Sequence, residues 1–189
     1  MLAGSWTSAY GAWRIPTVSK PATPPGADGT WNSSSWVGLD GTYGTFDVLQ
    51  VGIQQREGAD GTPFYVAWYE WYTPPFRNPP RYRNQVNIDN FPVGPGDEVV
   101  GVIEYRDGLG HVHLGNLSNG KYFTIVLQPP ANASFIGNTA EWVMEAPDKG
   151  EPATSLPKFT PVVFSNGLAT GAGGAAGTPA AGDTWNVPA

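Results

Sequence analysis

Residues 48–54, Val48-Leu49-Gln50-Val51-Gly52-Ile53-Gln54, decide the fold. Leu49, Val51 and Ile53 alternate with Val48, Gln50, Gly52 and Gln54, and a period of two puts the first set on one face of a strand and the second on the other. Residues 64–72 (Phe-Tyr-Val-Ala-Trp-Tyr-Glu-Trp-Tyr) are the most aromatic stretch, a composition that favours a pleated surface. There Val66, Trp68, Glu70 and Tyr72 share a face. Residues 139–145 alternate again and set Glu141, Val143 and Glu145 together. Shorter strands are expected at 35–41, which ends in an Asp-Gly turn, at 97–106 and at 121–127, with a hairpin-like segment at 111–120. Residues 16–30 and 73–96 are proline-rich connections.

The composition agrees with short strands joined by turns. The 189 residues include 25 Gly and 19 Pro, and nothing resembles a long amphipathic helix. One all-β domain follows, an antiparallel sandwich of two sheets. Residues 1–164 carry it. Residues 165–189 are rich in Gly, Ala and Thr and read as a loop or tail, either part of the same domain or flexible.

Charge narrows the partners. Sixteen acidic and ten basic residues leave a net charge of −6, so nucleic acid, which needs a clustered basic surface, is not an expected partner. The single basic cluster, Arg77, Arg81 and Arg83, sits among prolines and asparagines and reads as a solvated loop. Only 14% of residues are charged, which suits work in acid, where ionised carboxylates and ion pairs are titrated away. There is no cysteine, hence no disulfide and no thiol nucleophile. No apolar run approaches the ~20 residues of a membrane span, and Met1-Leu2-Ala3-Gly4 lacks the basic and apolar regions of a signal peptide. His111 and His113 share a strand face without an obvious third ligand, so they read as exposed hairpin residues and no metal or other cofactor is expected. Asn32, Asn116 and Asn132 each open an Asn-X-Ser triplet.

Four segments then occur in order: Ser35-Trp36-Val37-Gly38-Leu39-Asp40-Gly41, Val48-Leu49-Gln50-Val51-Gly52, Ala67-Trp68-Tyr69-Glu70-Trp71-Tyr72 and Ala140-Glu141-Trp142-Val143-Met144-Glu145. Together with Asn116-Leu117-Ser118-Asn119-Gly120 they closely resemble the glutamic peptidase (eqolisin) family, over residues 6–164. The resemblance implies a concanavalin A-like, jelly-roll type sandwich and a secreted, pepstatin-insensitive acid endopeptidase that takes protein or peptide substrates. It implies Gln50 and Glu141 as the catalytic pair, and Trp6, Trp36, Glu70 and Tyr72 as cleft residues. Asp40 serves either the cleft or its Asp-Gly turn. Three family acids are replaced, by Gln54, Val66 and Ala146, which points to a less extreme pH optimum. A monomer is expected from the acidic chain without large apolar patches.

The chemistry is sound for those side chains. A carboxylate can take a proton from water and return it to the leaving amine. A glutamine offers an acceptor for the water and N–H donors for an oxyanion, and it stays neutral in acid. Two other classes remain open at this point. A glycosidase would use two carboxyls, Glu141 with Glu145 or Glu70, about a sugar bond. A non-catalytic homologue would use the aromatic strands as a peptide or glycan platform.

Overall fold

A computed structural model describes residues 6–42, 45–73, 85–147 and 155–179. Met1, the cluster Arg77, Arg81 and Arg83, and Trp185 lie outside the described residues, as does the stretch 180–189. In chain order the strands are β1 (Trp6–Arg14), β2 (Val18–Ser19), β3 (Thr30–Asp40), β4 (Val48–Gly58), β5 (Pro63–Tyr72), β6 (Val86–Asn87), β7 (Glu98–Arg106), β8 (Leu109–Asn116), β9 (Lys121–Leu127), β10 (Ala140–Glu145), β11 (Lys158–Phe159), β12 (Phe164–Gly171) and β13 (Ala176–Gly177). A six-stranded sheet runs β13-β12-β1-β7-β8-β9, and a five-stranded sheet runs β10-β3-β4-β5-β6. β2 and β11 form a small two-stranded ribbon. The two large sheets make an antiparallel β-sandwich.

Alternation builds the interior. β3 sends Val37 and Leu39 inward, β4 sends Leu49, Val51 and Ile53, and β5 sends Ala67 and Trp71. They meet Ala9, Trp13, Val99, Ile103, Val112 and Leu114 of the opposite sheet. Leu39, Leu49, Val51, Ile53, Val99 and Ile103 are all fully buried. Each such side chain contributes roughly 1.5–3 kcal/mol by leaving water. Polar side chains on the inner face survive because they are paired. Trp13 Nε1 donates to Ser35 Oγ at 3.0 Å. Gln55 Nε2 donates to the same oxygen at 2.8 Å, and Ser33 Oγ donates to Gln55 Oε1 at 3.2 Å. This cluster extends β3 to eleven residues, well before the expected start at Ser35.

The hairpin between β7 and β8 closes at Asp107-Gly108. Both residues have positive φ, 54° and 76°, as a two-residue type I′ turn requires. Residues 111–116 therefore belong to β8, and the next turn is Asn116–Gly120, where the Gly120 N–H donates to the Asn116 carbonyl at 2.9 Å. Two of the three Asn-X-Ser triplets are closed to glycans in the folded chain, because the Asn32 and Asn116 side chains are buried.

The largest departure from expectation lies at 164–177. Phe164–Gly171 is no loop but a strand, β12, paired with β1, and β13 adds to its edge. Small residues are what the position demands. A Cβ on Gly177 would stand 2.6 Å from the Trp6 ring, and one on Gly167 would stand 3.3 Å from Trp142. Backbone pairing and covering indoles hold this segment, so its lack of large apolar side chains is uninformative.

The strands of the five-stranded sheet are in intimate contact at Gly52. A Cβ there would sit 2.4 Å from the Ser35 carbonyl oxygen and 2.5 Å from Trp36 Cβ. Gly52→Ala should therefore lose about 2–3 kcal/mol through forced backbone movement. Gly94→Ala, where an added Cβ meets nothing within 4 Å, should stay within about 0.5 kcal/mol of wild type. Urea unfolding of the two variants measures both.

Candidate active site

Register brings the candidate residues into one line. Glu141 of β10 pairs with Gly38 of β3, Gly38 pairs with Gln50 of β4, and Gln50 pairs with Glu70 of β5. All four lie on the face turned away from the six-stranded sheet, because their neighbours Val37, Leu39, Leu49, Val51, Tyr69 and Trp71 face the core. The next row along the strands is Val143, Trp36, Gly52 and Trp68. Glu141 and Gln50 thus stand two strand spacings apart, roughly 10 Å between Cα atoms, with a residue lacking a side chain between them.

Trp36 explains that glycine. Its six-membered ring lies where a Cβ on Gly38 would come within 2.8 Å, so the indole fills the floor between Glu141 and Gln50. The ring is held at its other end by Nε1, which donates to Glu145 Oε1 at 2.9 Å. Trp36, Val48 and Trp68 form a small apolar cluster on this outer face, with Tyr72 and Val143 packed against it. Trp68 Nε1 donates to Ser34 Oγ at 3.1 Å. The candidate polar row therefore sits on a floor of indoles and is poorly solvated: Gln50 is only 7% exposed.

Gln50 Nε2 donates to Glu70 Oε2 at 2.9 Å. Its Oε1 is buried and has no hydrogen-bond partner among the described residues. Loss of solvation drives the two carboxyls upward. Burial pushes Glu141 from an ordinary 4.5 to about 7, against a bond from Thr139 Oγ1, with Glu145 and Asp40 raising it further. Burial likewise pushes Glu70 to about 7; the bonds from Gln50 and the Gln85 backbone oppose this, and Glu145 adds to it.

Two anchors fix β10, the edge strand that carries Glu141. Trp142, on the inward side, lies over Gly11 and donates from Nε1 to the Tyr10 carbonyl at 2.8 Å, which ties the edge to the other sheet. Asp40, 1% exposed, accepts from the backbone N–H groups of Ile136 and Asn138, each at 2.8 Å. Its own φ of 66° and the 117° of Gly41 form the turn expected at this Asp-Gly pair. Asp40 thus turns the chain and pins the segment leading into β10. Neither anchor was apparent in the sequence, since both depend on partners about a hundred residues away.

The other candidates fall as follows. Trp36, Glu70 and Tyr72 surround Gln50. Trp6, on β1 of the opposite sheet, packs into the inter-sheet core and against Gly177. Gln54, at one of the replaced acidic positions, donates from Nε2 to Asn32 Oδ1 and accepts from Gln85 Nε2. His113 bonds Thr124 Oγ1 at 3.0 Å, and His111 lies beside Arg106. No group of three metal-ligating side chains occurs among the described residues. No described helix is long and apolar enough to cross a membrane. A separate open groove of about 720 Å³, lined by Phe64, Val66, Ile88, Phe91 and Lys121 among others, lies at the β5–β6 edge and includes neither Gln50 nor Glu141.

Fold and row define a β-sandwich with a half-buried carboxyl and a buried amide across a glycine. Residues 1–188 match the Peptidase A4 family, and the chain belongs to that family. It is 26% identical to Aspergillopepsin-2 of Aspergillus niger over 191 residues, which cover 94% of this chain and 64% of that protein, so it spans less than two thirds of that relative. Among solved structures, aspergilloglutamic peptidase from Aspergillus niger superposes with a TM-score of 0.71 at 27% identity, over 84% of this chain and 88% of that one. Scytalido-glutamic peptidase with a transition state analog inhibitor gives 0.71 at 22% identity, over 91% and 81%. The second likeness is one of fold.

Raised carboxyls make stability fall with pH. Below about pH 4.5 Glu70 and Glu141 are protonated in both the folded and the unfolded chain. Between there and about 7 the folded chain keeps protons that the unfolded chain has released, so stability declines and then levels off. Glu141→Gln and Glu70→Gln should each flatten this decline and gain on the order of 2 kcal/mol at neutral pH relative to wild type. Chemical denaturation across that range checks it.

Proposed function

We propose that the chain is an endopeptidase in which Glu141 and Gln50 act on one water and one peptide carbonyl above Gly38. The observation that carries this is a single strand row that sets the buried Gln50 amide and the half-buried Glu141 carboxyl on either side of Gly38. The family supports the reading, as do the Aspergillus niger sequence and structure that the chain resembles.

Glu141 takes a proton from the water, whose oxygen attacks the carbonyl carbon. The Gln50 amide serves the water and the developing oxyanion. When the C–N bond breaks, Glu141 returns its proton to the amine nitrogen, leaving an acid and an amine. Trp36, Tyr72 and Glu70 border this space and supply the walls of a peptide cleft, with Trp6 supporting from the core. Protein or peptide is the substrate, and the same reading makes the enzyme monomeric, extracellular and, with no aspartate dyad in its row, insensitive to pepstatin.

Water activation needs the ionised form of Glu141. With its pKa at about 7, kcat/KM falls as pH drops through that region, tenfold per unit well below it. On this group alone the rate levels off above about pH 7, so the optimum is not strongly acidic. The replaced acids at Gln54, Val66 and Ala146 point the same way.

Digestion of a denatured protein, in the presence of pepstatin, tests the assignment. Glu141→Gln should lower kcat by about a hundredfold to ten-thousandfold, the worth of a general base. Gln50→Ala should lower it by about a hundredfold to a thousandfold, the worth of an oxyanion donor. Wild-type rates in either variant would overturn the pair.

A further inference from the structure

Glu70 holds the amide that the proposed chemistry uses, and the two side chains constrain one another. An ionised carboxylate only accepts hydrogen bonds. It therefore admits the Gln50 amide in one orientation, the one observed, with Nε2 donating to Glu70 Oε2 at 2.9 Å and Oε1 left without a hydrogen-bond partner among the described residues. A protonated Glu70 has an O–H to give. It can donate to Gln50 Oε1, and the amide, turned by half a rotation, then shows both its N–H groups to the space over Gly38. The choice matters because a carbonyl oxygen repels a developing oxyanion, whereas N–H groups stabilise it.

We infer that Glu70 is the positioning residue of Gln50, and that the proton it carries decides whether the amide shows its oxygen or its nitrogen to the proposed reaction site. This rests on the peptidase reading of that site. The surroundings favour a proton that is held and released within the working range. The acidic group bearing on Glu70 is Glu145, reaching over from β10; Gln50 on β4 and the Gln85 backbone before β6 are neutral, and all of these act on a carboxyl that burial already raises. Glu141 lies in the same row across Gly38 and Gln50, and Glu145 raises it too. Glu70 and Glu141 thus share one acidic neighbour, Glu145, and each is raised by burial on its own strand. Activity needs Glu141 without its proton and Glu70 with one. The kcat/KM profile is accordingly a bell whose acid limb belongs to Glu141 and whose alkaline limb belongs to Glu70.

Kinetics of Glu70→Gln and Glu70→Ala on a quenched peptide, from about pH 3 to about pH 9, read this directly. Glu70→Gln cannot ionise, so it should lose the alkaline limb and keep the acid one. Glu70→Ala leaves the amide unheld. It should lower kcat by about tenfold to a hundredfold at all pH, with KM moved less, and Glu70→Gln should recover most of that loss. A wild-type alkaline limb in Glu70→Gln, or wild-type kcat in Glu70→Ala, overturns the inference while leaving the pair intact. A second measurement does not depend on cleavage. In ¹⁵N-glutamine-labelled protein, the Gln50 side-chain resonances, identified by their loss in Gln50→Ala, should shift with pH in wild type and lose the main step in Glu70→Gln. An unchanged titration in that variant sinks the role of Glu70 whether or not the chain cleaves peptides. If the step is lost but wild type cleaves nothing, the switch stands and the peptidase reading fails.

Discussion

The register between β3 and β4 is the constraint on which the rest depends. Eleven consecutive pairs run from Thr30 opposite Gly58 to Asp40 opposite Val48. A slip by one residue would turn Gln50 into the core and Leu49 or Val51 out of it, because side chains alternate with a period of exactly two. Both faces enforce the register. Inside, Ser35 accepts from Gln55 on β4 and from Trp13 on the opposite sheet. Outside, Gly52 lets the backbone of β3 and the base of Trp36 come too close for any other residue. The Trp36 ring then reaches over Gly38 and forms the floor between the two candidate catalytic side chains.

The candidate site is costly to stability by its construction. Glu145 bears on both Glu70 and Glu141 across a floor of indoles, and burial raises those two to about 7. Such an arrangement gives up stability at neutral pH. The core compensates elsewhere, with Leu49, Val51 and Ile53 buried on the opposite side of the very strand that carries Gln50. One strand thus serves both purposes, its two faces kept separate by alternation.

Much of this was legible in the sequence, and the reasons are particular. The alternation at 48–54 assigned the face of Gln50, and that at 139–145 assigned the face of Glu141, because period-two patterns report orientation directly. The order of motifs was enough to suggest the family. Partnership across strands was another matter. That Gln50 faces Glu70, that Asp40 binds the backbone at Ile136 and Asn138, and that Trp142 reaches Tyr10 are facts of pairing between distant segments, which no local pattern encodes. Phe164–Gly171 misled for the converse reason: a strand covered by indoles needs small residues, and small residues look like loop. The resemblance implied Trp6 as a cleft residue, whereas it packs in the inter-sheet core, and its place against Gly177 is set by the late edge strand β13.

The amide at position 50 follows from its neighbours. It stands between Glu141 on one side and Glu70 on the other, with Glu145 acting on both. A fourth carboxyl there would raise its neighbours further and would itself be protonated over much of the working range, since like charges at short range disfavour ionisation. Its donor and acceptor would then depend on pH and on every group around it. Glutamine keeps a donor end and an acceptor end at any pH, so on the proposed reading the variable moves from the amide to the residue proposed to orient it. Glu70, one strand further from Glu141, could then change its charge without touching the bond that the proposed reaction breaks, and a titratable control would belong at that position rather than at the amide.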